Sequence, residues 1–124
     1  MRIARWLVGI LFAGLCVAQA VAQAPLKIGV LLELSGPLGP SGIGSRDGFQ
    51  LFLKKNGNRI GDRPVELTIE DTANDAQTAI TKAKKLVESD RVEILVGPLS
   101  SASAAAVKGY LVSRRLPTIV FATV

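Results

Sequence analysis

The chain has 124 residues, 48% of them hydrophobic and 20% charged, with no His, one Cys and a formal net charge of +5. That length holds one ordinary domain at most. The absence of His excludes imidazole zinc sites, Ser-His-Asp triads and a histidine general base, and a single Cys excludes an internal disulfide framework or a CxxC redox centre.

Residues 1–22 read as a secretory signal and residues 23–124 as the domain it exports. Arg2 and Arg5 form a short positive n-region, and Trp6 to Val17 (WLVGILFAGLCV) is an uncharged apolar core. Ala18, Ala20, Ala22 and Ala24 then give overlapping A-x-A cleavage sites, of which the one after Ala22 keeps Pro25 away from the scissile bond. The rival reading is a retained membrane anchor, since no charge stands between Arg5 and Lys27. The apolar run is short for a span, and the alanine ladder favours processing. Cys16 follows Leu15, with Ala13 three residues before it, which is the wrong order for lipidation. Arg2 and Arg5 are not adjacent, so a twin-arginine route has no support. Removing the signal leaves 13 basic and 10 acidic residues, a net +3, with no Cys or Trp. The expected location is the periplasm.

From Leu26 the chain alternates strand and helix. Leu26 to Leu34 (LKIGVLLEL) is a nearly continuous apolar run, as expected of a strand covered on both faces. Ser35 to Gly44 reads as a Gly/Pro-rich loop. Ser45 to Asn56 carries Phe49, Phe52 and Leu53 at helical spacing and stops at Gly57. Asn58 to Arg63 reads as a turn, and Pro64 to Asp71 alternates apolar and polar residues as a half-buried strand near an edge. Asp75 is the expected N-cap of a helix whose Ala76, Ala79, Ile80, Ala83 and Val87 form one stripe. Lys82, Lys84 and Lys85 fall off that stripe, a solvated face rather than a nucleic-acid patch. Val92 to Val96 is a third strand, Ala102 to Arg114 a third helix, and Pro117 to Phe121 opens a fourth strand. The predicted fold class is α/β, a three-layer βαβαβαβ arrangement with a mainly parallel sheet and right-handed crossovers.

Ligands of open parallel sheets bind beyond the carboxyl ends of the strands. Here that edge comprises 35–44, 70–75, 97–101 and 122–123. The loop GPLGPSGIGS fails the phosphate templates: Gly44 is followed by Ser45 and Arg46 rather than Lys, and Asp47 stands where a dinucleotide fingerprint needs Gly. It reads as a wall of a cleft. Gly97-Pro98-Leu99-Ser100-Ser101 turns a strand into a helix, so backbone N–H groups and the positive dipole end face outward beside two hydroxyls. One serine can cap the helix while the other binds, and the pattern suits a carboxylate. With no His or neighbouring base, neither is a nucleophile. Glu70 and Asp71 are neighbours on a strand and point to opposite faces, which speaks against a shared proton or metal, and Asp71 is expected to organise the turn through Thr72 to Asn74. No enzymatic activity, metal or cofactor is expected.

Taken together, KIGVLLELSGPLG at 27–39, RDGFQLFL at 46–53, GDRPVELTIEDTANDAQTAITKAKKLV at 61–87 and VEILVGPLSSASA at 92–104 resemble the extracytoplasmic solute-binding proteins of ABC transporters, type I periplasmic-binding fold, branched-chain amino acid group. The resemblance implies a two-lobed binder that closes on an amino acid or related small carboxylate or amide and presents it to a membrane permease. It places Leu99, Ser100 and Ser101 in the cleft, with Ser101 matching the serine that hydrogen-bonds the ligand carboxylate. It places Ala122 and Thr123 at further ligand contacts, and Ser41 where leucine-type binders carry an aromatic wall, so the ligand side chain stays open. The disulfide of some members has no counterpart here. Members are several times longer, and the chain resembles the first half of lobe one, an N-terminal fragment in which ligand binding is expected to be impaired. The alternative reading from the same fold is a ligand-sensing receptor or regulator domain. An exported α/β enzyme is the third, and it lacks a nucleophile–base pair.

Overall fold

The computed structural model describes residues 23–122; the expected signal at 1–22 and Thr123 lie outside the described residues. The elements are β1 (Leu26–Leu32), α1 (Gly39–Lys55), β2 (Arg59–Ile60), β3 (Arg63–Asp71), α2 (Ala76–Lys84), β4 (Ile94–Val96), α3 (Ser101–Ser113) and β5 (Thr118–Ile119). A π-helical turn at Lys85–Ser89 continues α2. They form a five-stranded sheet in the order β2-β3-β1-β4-β5. All neighbours are parallel except β2 and β3. The α/β class and mainly parallel sheet are as the sequence predicts.

β1 is apolar throughout because both of its faces are covered. Leu26, Ile28, Val30 and Leu32 pack with Val96 on one side, against the half-buried Phe49 of α1 and Val65, Leu67 and Ile69 of β3. Leu31 faces the other side, where Ala79 and Ala83 of α2, Leu86, Leu95 of β4, and Val107 and Leu111 of α3 close the second core. Strand alternation thus sends one set of side chains under α1 and the other under α2 and α3. The layer beneath α1 is the more open one: Ile43, Leu51 and Phe52 remain exposed.

Two elements differ from expectation. Residues 39–44 are the first turns of α1, not a loop, so Ser41 sits on a helix. Pro40, in the first turn, suits a helix start because its missing N–H would have no intrahelical partner there. Gly42 is needed for packing, since a Cβ there would come within 1.8 Å of the Glu33 carbonyl oxygen. The 58–63 segment is not simply a turn either: Arg59 and Ile60 pair antiparallel with Pro64 and Arg63 as a short hairpin. The Val65 N–H extends this pairing by donating to the Asn58 carbonyl at 2.8 Å.

α2 starts where its cap demands, with the Thr78 N–H donating to Asp75 Oδ1 at 2.6 Å. Lys82 and Lys85, expected on a merely solvated face, both pair with Glu70 of β3, at 2.7 and 2.6 Å. Those pairs tie α2 to the sheet.

Candidate functional site

The sheet order decides where a ligand can enter. The chain leaves β1 for β3 on one side, then crosses back to β4 on the other, so the direction of winding reverses between β1 and β4. In parallel α/β sheets the crevice at such a reversal, beyond the carboxyl ends of the strands, is where ligands bind. Here it is bordered by residues 33–38 after β1 and 97–100 after β4.

The segment after β4 is held from three directions. Gly97 has φ +107°, and its N–H donates to the Ile119 carbonyl at 2.8 Å. A Cβ at Gly97 would lie 1.8 Å from the Leu31 carbonyl oxygen, so the turn presses directly on β1. The Gly97–Pro98 peptide is cis. The Pro98 carbonyl accepts the Phe121 N–H at 3.2 Å, which brings the residues after β5 alongside. The Leu99 N–H donates to Glu33 Oε2 at 3.0 Å. Ser100 is the N-cap of α3, its hydroxyl accepting the Ser103 N–H at 3.4 Å. Ser101 opens the helix and is exposed.

Leu99, Ser100 and Ser101 therefore form one contiguous surface at the positive end of α3. Ala122 follows β5, one residue beyond the Phe121–Pro98 bond. Ser41 stands apart, exposed on the first turn of α1. Thr123 lies outside the described residues. Ala122 also lines an apolar groove of about 470 Å³ along α3, together with Val107, Leu111, Val112, Leu116 and Val120.

Two neighbouring acidic side chains at the end of β3 have different partners. Asp71, at the end of β3, accepts the Leu34 and Ala73 N–H groups, each at 2.8 Å, and the Ser35 hydroxyl at 2.7 Å. Burial pushes its pKa up, but the Ser35 hydroxyl and these backbone donors outweigh that and hold it below the usual carboxylate range. Glu70 points the other way, to Lys82 and Lys85. Burial again raises its pKa, and the two ammonium groups more than reverse the effect. Each carboxyl has its own partners, so the pair shares neither proton nor ion. Among the described residues no three His, Cys, Asp or Glu side chains come together to hold a metal ion.

Glu33 is the residue that sequence reasoning passed over. It is 0% exposed, and its second oxygen, Oε1, has no hydrogen-bond partner among the described residues. The signal was available: a charged residue two positions beyond Leu31, in a run covered on both faces, has to be buried.

A periplasmic binding protein family model matches residues 25–124. Over 105 residues the chain is 30% identical to Leu/Ile/Val-binding protein homolog 6 of Brucella abortus (strain 2308), covering 83% of this chain and 27% of that protein. An ABC transporter substrate-binding protein from Sphaerobacter thermophilus superposes with a TM-score of 0.75 at 49% identity, over 78% of this chain and 26% of that one. The branched-chain amino acid transporter substrate binding protein LivJ from Streptococcus pneumoniae, in complex with isoleucine, gives 0.76 at 27% identity, over 82% and 30%. The chain thus spans about a quarter of the length of these relatives. The matched portion holds the β1–β4 crevice and the start of α3. The chain belongs to the periplasmic binding protein family, with the type I fold of ABC-transporter substrate-binding proteins.

Proposed function

We propose that the chain is substrate-binding material of an ABC-type uptake system for branched-chain amino acids or related small carboxylate or amide ligands. It is exported through a cleaved signal to the periplasm, where it works with a membrane permease. The observation that carries this reading is the Leu99–Ser101 surface, set at the winding reversal on the N-terminal end of α3. Backbone N–H groups and serine hydroxyls there can hold a polar ligand head without any bond being made or broken. On the family resemblance Ser101 would touch that head, Ala122 and Thr123 would extend the contact, and Ser41 would face the ligand side chain. No helix among the described residues is long and apolar enough to cross a membrane. Relatives that this chain matches carry substrate-binding names.

The described residues offer one side of a cleft. A ligand resting on one side keeps much of its polar surface in water, where each charge interaction is weakened several-fold relative to an enclosed site. Isothermal calorimetry with leucine and isoleucine is expected to show no micromolar binding to this chain. Micromolar heats would overturn the impaired-binding part of the proposal. Failure of millimolar ligand to shift the amide resonances of Leu99 to Ser101 would overturn the binding surface itself.

A further inference from the structure

α1 ends in a Schellman motif. The Gly57 N–H donates to the Lys54 carbonyl at 3.3 Å and the Asn58 N–H to the Leu53 carbonyl at 2.7 Å, with Gly57 in the left-handed region at φ +64°. That conformation accounts for the glycine, because a side chain is strained there. It also leaves Asn56, the C-cap residue, bonded directly to a glycine. Both residues are exposed, and the Asn56 Nδ2 donates to the Phe52 carbonyl at 2.8 Å. A Cβ built at Gly57 would meet nothing within 4 Å, so the peptide after Asn56 has open space around it.

An asparagine followed by an unhindered glycine can cyclise. The Gly57 backbone nitrogen gives its proton to water or hydroxide and attacks Asn56 Cγ. The new C–N bond closes a five-membered succinimide, and Nδ2 leaves as ammonia. Water then opens one of the two ring carbonyls, giving aspartate, or isoaspartate with the main chain routed through the former side chain. At the observed ψ of 24° the Gly57 nitrogen points away from the Asn56 side chain, so attack requires release of the Gly57–Lys54 and Asn56–Phe52 bonds. The last turn of a helix opens more readily than its interior. Asp47–Gly48 offers related chemistry but lies inside α1, where the helix holds the glycine nitrogen in place. After Asn58 and Asn74 the attacking nitrogen belongs to Arg59 and Asp75, each with a side chain in the way, and the Asp75 N–H is bound to the Thr72 carbonyl at 2.9 Å.

We propose that Asn56–Gly57 is a spontaneous modification site, where succinimide formation turns Asn56 into aspartate and isoaspartate and loosens the end of α1. Either product sets a carboxylate at the negative end of the helix dipole, which Lys54 and Lys55 in the last turn partly offset. Isoaspartate also lengthens the main chain by one methylene just before both Schellman donors, so their two bonds to the helix no longer fit together. The Asn58 carbonyl accepts the Val65 N–H at 2.8 Å, which carries the disturbance to the start of β3. α1 runs away from the carboxyl edge of the sheet, so this end stands opposite the Leu99–Ser101 surface. The proposal is therefore independent of the binding reading.

The test ages the purified chain at neutral and alkaline pH, both folded and in urea, and then cuts it with trypsin, which releases residues 56–59 between Lys55 and Arg59. Mass, fragmentation and chromatography separate the asparagine, aspartate and isoaspartate forms, and an isoaspartyl methyltransferase labels the last. Conversion is expected at Asn56 ahead of Asn58, Asn74 and Asp47, and faster at alkaline pH. The folded chain should react roughly ten- to a hundredfold more slowly than the chain in urea, since two ordinary hydrogen bonds must open first. Aged protein should unfold at lower urea than fresh protein. Asn56→Gln, whose longer side chain closes a ring far more slowly, should keep its midpoint on ageing. Asn56 still mostly intact in the folded chain after several hundred half-times of the urea arm overturns the proposal. Equal conversion at Asp47 or Asn74 overturns it too, because the helix end would then select nothing. An unchanged midpoint in fully converted wild type overturns the loosening of α1, and that comparison stands alone if Asn56→Gln does not fold.

Discussion

The Leu34 N–H donates to Asp71 at 2.8 Å, which fastens the end of β1 to the end of β3. The same carboxylate takes the Ser35 hydroxyl and the Ala73 N–H, so one side chain shapes two of the loops at the carboxyl edge. Its pKa is lowered in the folded chain, since the hydrogen bonds outweigh desolvation. A carboxyl depressed on folding adds stability above its unfolded pKa and loses it as pH falls through the folded value. Asp71 therefore stabilises the fold at neutral pH, and its contribution fades below about pH 4. Asp71→Ala is expected to cost roughly 1–2 kcal/mol at pH 7, toward the lower figure because the group is partly exposed. Urea unfolding from pH 3 to 7 checks this: the variant should show a flatter acid limb, and identical slopes would refute it.

Gly97 has no tolerable replacement. Its φ of +107° lies where a side chain is strained, and a Cβ would stand 1.8 Å from the Leu31 carbonyl oxygen, in the middle strand of the sheet. Neither atom is the end of a flexible side chain, so relief requires moving β1 or the turn. Gly97→Ala is expected to lose at least about 3 kcal/mol, with the Gly97–Ile119 and Leu99–Glu33 hydrogen bonds loosened together. Thermal unfolding and hydrogen exchange at these two amides would measure it. Protection of Leu99 left unchanged by Gly97→Ala would show that the turn adjusts locally.

Gly42 and Gly44 sit in the same helix and predict opposite outcomes. Alanine is favoured over glycine in a helix interior by about 1 kcal/mol. At Gly44 an added Cβ meets nothing within 4 Å, so Gly44→Ala should stabilise the chain by roughly 0.5–1 kcal/mol. At Gly42 the same gain is overwhelmed, because the Cβ would fall 1.8 Å from the Glu33 carbonyl and force α1 away from β1. Gly42→Ala is expected to destabilise by about 2 kcal/mol or more. Paired denaturation curves settle the contrast, and equal effects at the two sites would mean that α1 does not pack as described.

These glycines also explain what could and could not be seen in the residues alone. The strand–helix rhythm was legible because burial on two faces writes a continuous apolar run at β1, and because Asp75 marks the start of α2. Ser100 and Ser101 were legible as a cap and its neighbour. The first turns of α1 were not, since Gly39, Pro40, Gly42 and Gly44 have poor local helix propensity, and it is contact with the end of β1 that makes them helical. The i, i+3 spacing of Gly39 and Gly42, both buried, was the available hint. β2 is two residues long and depends on its pairing with β3, which no local pattern announces. Glu33 was hidden by its apolar neighbours, and its importance appears only when the fold brings residue 99 to it.

Ser100 and Ser101 offer the sharpest separation of structure from binding. The Ser100 hydroxyl caps α3, and the bond is long at 3.4 Å, so Ser100→Ala is expected to cost about 0.5–1 kcal/mol, the lower part of the usual range for a lost cap. Ser101 is exposed on the first turn, so Ser101→Ala removes little buried surface and should cost no more than about 1 kcal/mol, the worth of one exposed hydrogen bond. Its effect is expected in binding: loss of a hydroxyl contact to the ligand head should weaken the millimolar binding of isoleucine roughly fivefold, the equivalent of one ordinary hydrogen bond. Amide-shift titrations beside urea unfolding of both variants read the two effects independently. A stability loss at Ser101 with unchanged affinity would assign that serine to the helix, and would move the ligand contact to Ser100 or to the backbone of Leu99.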